Sequence, residues 1–487
     1  MAAPLRIGGP ALAALLPDIR TLPGPVYAAL ARALTALVLD GRVAIETRLP
    51  SERDLATALR VSRATVTSAY DQLRADGFLD SRIGSGSFVT VPAGSTPNNV
   101  VARWTTRAPA PGDVIDLSCA TLPAPPSVIE PAVAAAAGRL PSHLLGDGYD
   151  PAGLPALREA VAARFAGRGI PTRADQVLVT NGALHGVDLL LRLVIGPGDR
   201  VVTELPSYPG ALDAVRAHGG RIVPVPMHPH GGWQVDQLQA TLRQTSARLA
   251  YLTPDHHNPT GALVGDDDRR TVLRAARQTG TTVVVDESFV DLGFAGSATP
   301  AAAIDPGVVT IGSLSKPVWG GLRIGWLRAS ADLVARLAAL RTSIDMCGAV
   351  LDQLVATEIL ADLDAVAAAR RADLLPRRDA LLAAVTAELP DWRVDVVPQG
   401  GLSMWAQLPA PLSTPLALLA GQAGVVLVPG SRFGVDGTLE RFVRLPFAQP
   451  ADRLHEAVRR IAGVWQQLAA GAGTDGVDLA SRRLVVA

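Results

Sequence analysis

Between residues 176 and 312 the chain repeats one pattern. Short apolar runs, QVLVT (176–180), RVVTE (200–204), LAYLT (249–253), TTVVVD (281–286) and VVTIG (308–312), are separated by stretches with helical spacing. Runs of this length bounded by turn residues read as buried strands. Strands alternating with helices force a mostly parallel sheet wrapped by helices. One intervening stretch, 266–278, opens with Asp266, Asp267 and Asp268, acidic residues that suit a helix N-terminus. The same alternation continues over residues 114–470 and defines an α/β unit.

That unit is not the whole molecule. A chain of 487 residues exceeds one ordinary core, so more than one domain is expected. Residues 12–91 read as short helices ending in a glycine-rich hairpin. Residues 92–113, PAGSTPNNVVARWTTRAPAPGD, are rich in Pro, Gly, Thr and Asn and read as a linker. Residues 471–487 read as a flexible tail. Formal net charge is zero, so no global field attracts nucleic acid, membrane or an acidic ligand. Two cysteines, Cys119 and Cys347, make neither a disulfide framework nor a metal site, and no metal is expected. No apolar run is long enough to span a bilayer. A cytoplasmic protein without membrane contact is the expectation.

In the N-terminal zone, VYAALARALTALVLD (26–40) places apolar residues at helical spacing and stops at Gly41. Ser51 followed by Asp54 predicts a helix starting at Glu52. Ser62 predicts a second helix that ends at Gly77, with Val66, Tyr70 and Leu73 as its buried stripe. Two short helices joined through Arg60 and Val61 form a helix-turn-helix, and the second presents Arg63, Thr65 and Thr67 away from the stripe. Residues 78–91 alternate as a hairpin turning at Gly84, Ser85 and Gly86, a wing. Residues 26–91 carry 8 Arg against 7 acids, so charge does not identify a DNA binder here.

The ordered string does. LPSER-x-LA, VSR-x-TV-x-x-AY-x-x-L and G-x-G-x-FV closely resemble the winged helix-turn-helix of GntR-type transcription regulators. The resemblance implies contacts to double-stranded DNA from Arg53, Ser62, Arg63 and Thr65, with Gly84 and Gly86 letting the wing backbone approach the minor groove. Arg63 is the expected base reader, because its fork matches guanine O6 and N7.

The second zone holds an exception to the composition. Lys+Arg totals 45, yet Lys316, in GSLSKPVWGGLRIGW, is the only lysine. Arginine replaces lysine as a surface cation but not where an amine must lose its proton and attack a carbonyl. Around Lys316 in chain order stand NGALHG (181–186), PSYPG (206–210), HHNPTG (256–261), Asp286 at the end of TTVVVD, and Arg323 in GGLRIGW. By itself Asp286 reads as a helix cap or as a buried partner for a cation. NGALHG follows a strand and opens a helix, a place where backbone N–H groups cradle phosphate.

In this order and spacing these elements closely resemble the aspartate-aminotransferase-like fold type I of pyridoxal 5'-phosphate proteins, with a large and a small subdomain. The resemblance implies that Lys316 forms the aldimine with pyridoxal 5'-phosphate. It further implies that Asp286 pairs with the pyridine nitrogen, Asn258 donates to the phenolic oxygen and Tyr208 stacks on the ring. Gly182, Ala183, Ser313 or Ser315, and Arg323 hold the phosphate. Arg444, in FVRLPFA, grips a substrate α-carboxylate. Tyr149, in GDGYDPAGLPALR, reaches the phosphate of the neighbouring subunit, which implies a homodimer with shared sites. The family tyrosine two or three residues after the aspartate is absent: Ser288 and Phe289 stand there, which argues against efficient transamination.

Winged helix, linker and fold type I domain together resemble the MocR/PdxR-type regulators. That resemblance implies a dimeric transcription factor whose aminotransferase-like half senses pyridoxal 5'-phosphate or an amino compound. Ligand binding at Lys316 and Arg444 would then move a small subdomain built from the C-terminal segments. The alternative is a metabolic aminotransferase with an appended winged helix.

Overall fold

The computed structural model describes residues 7–39, 43, 47–82, 86–90, 113–228, 231–295, 298–435 and 438–472. The N-terminal module contains helices α1 (Gly9–Ala13), α2 (Val26–Leu39), α3 (Glu52–Leu59) and α4 (Arg63–Ala75) and strands β1 (Leu79–Arg82) and β2 (Gly86–Val89). Local chemistry explains the boundaries. The Ser51 hydroxyl accepts from the Asp54 N–H, and the Ser62 hydroxyl accepts from the Thr65 N–H, so both helices start at a side-chain cap. Arg60 ends α3 in the left-handed region with φ 55°. Gly77, at φ 78°, follows the end of α4. Leu30 and Leu34 from α2, Leu55 from α3 and Val66, Tyr70 and Leu73 from α4 form one apolar core. The buried Tyr70 hydroxyl is satisfied by the Pro50 carbonyl at 3.0 Å.

β1 and β2 pair antiparallel, with Leu79 opposite Val89 and Arg82 opposite Gly86. Gly86 has φ +105°, and a Cβ there would lie 2.7 Å from the Arg48 Nε, so glycine is required at this rim of the hairpin. The expected turn at Gly84 and Ser85, the expected linker up to residue 112 and the expected tail from 473 lie outside the described residues.

Among the described residues, the second unit is built on a seven-stranded sheet. Its strands follow β3 (Ile115–Asp116) in the chain: β4 (Val177–Thr180), β5 (Arg200–Leu205), β6 (Arg221–Pro226), β7 (Leu249–Leu252), β8 (Thr282–Asp286), β9 (Val309–Ser313) and β10 (Gly325–Arg328). Spatial order is β4-β10-β9-β8-β7-β5-β6. Strands β5 to β9 pair parallel where they meet, and β10 runs antiparallel to both of its neighbours. The expected runs are strands, and helix Asp266–Thr279 follows its three aspartates. Two strands, β6 and β10, were not expected. RIVPVP hides β6 behind two prolines, tolerated at this edge position. The run GWLR, which forms β10, is short and ends on a buried arginine, Arg328.

A smaller layer contains β11 (Ser403–Gln407), β12 (Val425–Val426), β13 (Val428–Pro429) and β14 (Phe442–Pro446), with the long helices Leu363–Glu388 and Ala451–Ala472 packed together. Here the expectation needs correcting. The small subdomain is not made of C-terminal segments alone, because β3 pairs parallel with β12, Ile115 opposite Val425. Asp113, at the end of the expected linker, pairs with Arg460 at 2.6 Å and with Arg453. The first described residues after the linker are therefore fastened to this layer. Helix Ala451–Ala472 also runs past the tail boundary expected at 470.

Candidate functional site

Parallel strands deliver their carboxyl ends to one edge of the sheet, where crevices form. β4 ends beside Asn181 and Gly182, β5 leads to Tyr208, β7 leads to Asn258, β8 ends on Asp286, and β9 leads to Ser313, Ser315 and Lys316. Strands far apart in sequence thus bring these residues together.

Lys316 is half-buried, and its Nζ donates to the Ala120 carbonyl at 3.0 Å. Burial, with Arg444 nearby, lowers its amine from 10.5 to about 8, partly offset by Cys119 and Asp286. Near neutral pH a useful fraction of this amine is unprotonated and nucleophilic. Phe289 lies beneath it, 5.5 Å from Nζ to the ring centroid.

Asp286 is buried. Its Oδ1 accepts from the Ser288 N–H at 2.9 Å and its Oδ2 from the Tyr251 hydroxyl at 2.6 Å. No α-helix begins at Asp286, and its two hydrogen-bond donors here are neutral groups rather than a cation.

Arg444 sits on β14 and is 6% exposed. Its guanidinium carbon lies 5.0 Å from the Phe433 ring centroid. Nη2 donates to the Ser118 carbonyl, Nη1 reaches Asn258 Oδ1 at 3.4 Å, and Nε has no hydrogen-bond partner. Burial lowers it from 12.5 to about 10, so it remains a cation at neutral pH. With Asn258 Oδ1 turned to Arg444, the amide nitrogen of Asn258 is left to donate elsewhere.

Gly182 caps helix Ala183–Val194 with φ +84°, and a Cβ there would fall 2.7 Å from the Arg323 Nη2. Glycine therefore admits Arg323, whose Nη2 donates to the Asn181 carbonyl at 2.6 Å. The result has the form of an anion cradle, a helix start beside an exposed arginine, although the Gly182 N–H itself is spent on the Thr180 carbonyl at 2.9 Å. Ser313 is buried and engaged with Ser315 Oγ at 2.7 Å and with the Ile324 carbonyl at 3.2 Å. Ser315 is more open. Tyr208 begins helix Pro209–Ala217 with its ring over Gly210. Tyr149 stands apart from this cluster's contacts, 62% exposed.

The residues fit pyridoxal phosphate as a donor set: an activated amine, a fixed carboxylate, an anion cradle and an unpartnered buried guanidinium nitrogen. Sequence reasoning missed Ser118, Ala120, Tyr251 and Phe433. Two of these act through backbone carbonyls, which carry no side-chain signature.

In the N-terminal module Arg63 is open, with its side chain 73% exposed and 3.3 Å from Glu52. Arg53 and Ser62 are exposed as well. The expected contact Thr65 is less available, and so is Thr67, which was expected only to point away from the buried stripe. The Thr65 hydroxyl lies 2.8 Å from Ser62 Oγ, and the Thr67 hydroxyl donates to Glu52 at 2.8 Å. Thr67 braces α4 against α3 rather than facing outward, because α3 places a carboxylate within its reach.

Comparisons with known proteins agree with this division. Residues 113–461 match the family model described as aminotransferase class I and II, and residues 26–89 match bacterial regulatory proteins of the gntR family. The chain is 32% identical to the HTH-type transcriptional regulator TauR of Rhodobacter capsulatus, over 90% of this chain and 96% of that one. It is 30% identical to an aromatic-amino-acid aminotransferase of Thermococcus litoralis, over 65% of this chain and 77% of that one. Among solved structures it resembles LysN, an α-aminoadipate aminotransferase of Thermus thermophilus complexed with N-(5'-phosphopyridoxyl)-L-leucine. That match has a TM-score of 0.67 and 29% identity, covering 73% of this chain and 93% of that one.

Proposed function

The chain belongs to the MocR-type regulators of the gntR family, in which a winged helix-turn-helix is joined to an aminotransferase class I and II domain, and on that premise we propose a division of labour between its halves. It is a pyridoxal-phosphate-dependent, DNA-binding transcription regulator. No helix among the described residues is long and apolar enough to cross a membrane.

In the sensing half, the bound cofactor supplies an aldehyde that condenses reversibly with amines. Lys316 holds it through its amine, which burial keeps largely free of a proton above pH 8. Asp286 would pair with the ring nitrogen, Tyr208 would stack on the ring and the Asn258 amide nitrogen would donate to the ring oxygen. Ala183, Ser315 and Arg323 would take the phosphate, with Gly182, whose own N–H is spent on the Thr180 carbonyl, leaving room beside Arg323. Ser313 serves indirectly, because its hydroxyl is committed to Ser315 and the Ile324 carbonyl. Tyr149 serves the site of a second copy, making the regulator a homodimer.

One observation carries the sensing proposal. Ser118 and Ala120 hold the two cations of the site, Arg444 and Lys316, with their carbonyls. This segment follows directly on β3 and Asp113, where the linker from the DNA-binding module ends. A ligand carboxylate that meets the open Nε and a neighbouring Nη of Arg444 would compete with the Ser118 carbonyl for it. Attachment of the cofactor would take the Lys316 Nζ from the Ala120 carbonyl, and an amino ligand that takes the cofactor would return the free amine to it. Both events bear on the same short segment, and so on the presentation of the two winged helices to DNA half-sites.

In the DNA-binding half, Arg63 reads a base, while Arg53, Ser62 and Thr65 meet phosphates and the wing at Gly84 and Gly86 approaches the minor groove. The test is a gel shift with the DNA upstream of the gene, comparing cofactor-loaded and cofactor-stripped protein. A shift that changes on loading supports cofactor sensing. A shift indifferent to the cofactor and to every amino acid tried removes the sensing role.

A further inference from the structure

Tyr251 is a buried tyrosine that the cofactor-binding roles above do not use. It lies on β7, 2% exposed, within the apolar layer that includes Leu249, Val284 and Ile311. The strand register explains its reach. Tyr251 pairs with Val284 across the parallel β7–β8 ladder, and Asp286 is two residues further along β8. Side chains two apart on a strand share a face, so Val284 and Asp286 point the same way and the long phenol spans the offset. Its hydroxyl meets Asp286 Oδ2 at 2.6 Å, the carboxylate edge left open by the Ser288 N–H on Oδ1.

We propose that Tyr251 is a positioning residue of the cofactor site, fixing the rotation and the charge of Asp286 from within the sheet. The proposal rests on the reading that Asp286 faces the ring nitrogen. A carboxylate held by two donors is a fixed anion, and a fixed anion keeps the facing ring nitrogen protonated. The phenol itself stays neutral, since burial and the Asp286 charge both push its ionisation well above the usual tyrosine value. The other titratable groups whose fields reach it are Tyr208 and Glu204. This is not the role of the tyrosine missing at positions 288 and 289, which would act on the ring oxygen. Tyr251 acts on the opposite side, through the aspartate.

The experiment measures cofactor dissociation and the pH midpoint of the bound chromophore's visible absorption, in full-length protein. Tyr251→Phe removes one oxygen and is expected to weaken cofactor binding about tenfold, the scale of a hydrogen bond to a charged group. A less protonated ring disfavours a second proton on the conjugated system less strongly. The midpoint is therefore expected to move upward by roughly half a unit. In an Asp286→Asn background, itself weaker by about a hundredfold, adding Tyr251→Phe is expected to change binding by less than about twofold. Site-specific 3-fluorotyrosine at position 251, a stronger donor of the same shape, is expected to shift the midpoint the other way. This last arm keeps the test alive if Tyr251→Phe folds poorly. Wild-type binding and midpoint in Tyr251→Phe, with Asp286→Asn impaired, overturn the proposal. So do equal losses in both backgrounds, which mark a merely structural residue. Wild-type binding by Asp286→Asn instead overturns the reading of Asp286, and the Tyr251 role falls with it.

Discussion

Arg63 and Arg444, the two arginines proposed above to meet an anion, stand in opposite surroundings. The Arg63 side chain is 73% exposed at the start of α4, with Glu52 at 3.3 Å as a partner of opposite charge. Arg444 is 6% exposed, lies against an aromatic ring and spends two of its nitrogens on Ser118 and Asn258. The first arrangement suits a long, charged polymer that brings its own counterion release and needs only surface access. The second suits a small molecule selected by shape, where desolvation strengthens each contact. On the proposed reading, one chain carries a surface reader held together by apolar packing and caps, and a buried reader built from polarised groups.

The sharpest break of that comparison comes at Lys316. Lys316→Ala is expected to abolish covalent cofactor attachment, seen as loss of borohydride-trappable label. Retained label would place the attachment elsewhere, an outcome this single-lysine chain makes easy to read. Next in size, Arg444→Ala is expected to weaken a carboxylate ligand of the loaded protein by about a hundredfold, from loss of a buried bidentate pair. Isothermal titration measures it, and an unchanged affinity would mean that the carboxylate binds elsewhere. Arg63→Ala is expected to cost about tenfold to a hundredfold in operator affinity while the cofactor spectrum stays as in wild type. An equal loss on unrelated DNA would recast Arg63 as a phosphate contact.

Two smaller effects probe the surroundings themselves. The rate of cofactor condensation is expected to rise with pH around a midpoint near 8, where the Lys316 amine loses its proton. Arg444→Gln should move that midpoint upward, because Arg444 is among the causes lowering it. The linkage has a definite sign. Between about 8 and 10.5 the unfolded chain binds more protons at Lys316 than the folded one. This residue's contribution to stability therefore rises with pH across that window and is lowest below about 8. Removing the cap in Ser62→Ala is expected to cost about 1 kcal/mol in the N-terminal module, read as a lower melting temperature. A loss confined to the cofactor domain would contradict the separation of the two regions.

The same contrast governs what was legible beforehand. The helix-turn-helix is a local structure: Ser51, Ser62, Gly77 and the Val66–Tyr70–Leu73 stripe act within a few residues of one another, and the chain order alone displays them. The large sheet was legible for the same reason, strand by strand, except β6, disguised by prolines, and β10, an antiparallel insertion with a buried arginine. Lys316 stood out by composition and NGALHG by its place after a strand, but the other proposed cofactor residues were readable only through resemblance, since NPTG or a strand-end aspartate is ambiguous alone. What stayed hidden depends on register and backbone. No side chain announces that the Ser118 and Ala120 carbonyls reach Arg444 and Lys316, or that Tyr251 stands one strand away from Asp286. The fastening of Asp113 and β3 to a layer hundreds of residues later is likewise a tertiary fact. It matters because it sets the site next to the linker.

The most direct measurement is operator affinity of the cofactor-loaded protein across a panel of α- and γ-amino acids, in wild type and in Arg444→Ala. The account predicts that at least one amino acid changes wild-type affinity or footprint, and that this response is lost in Arg444→Ala. A response that persists unchanged in the variant, or no response from any amino acid in the wild type, would contradict a sensor that works through the Ser118–Ala120 segment.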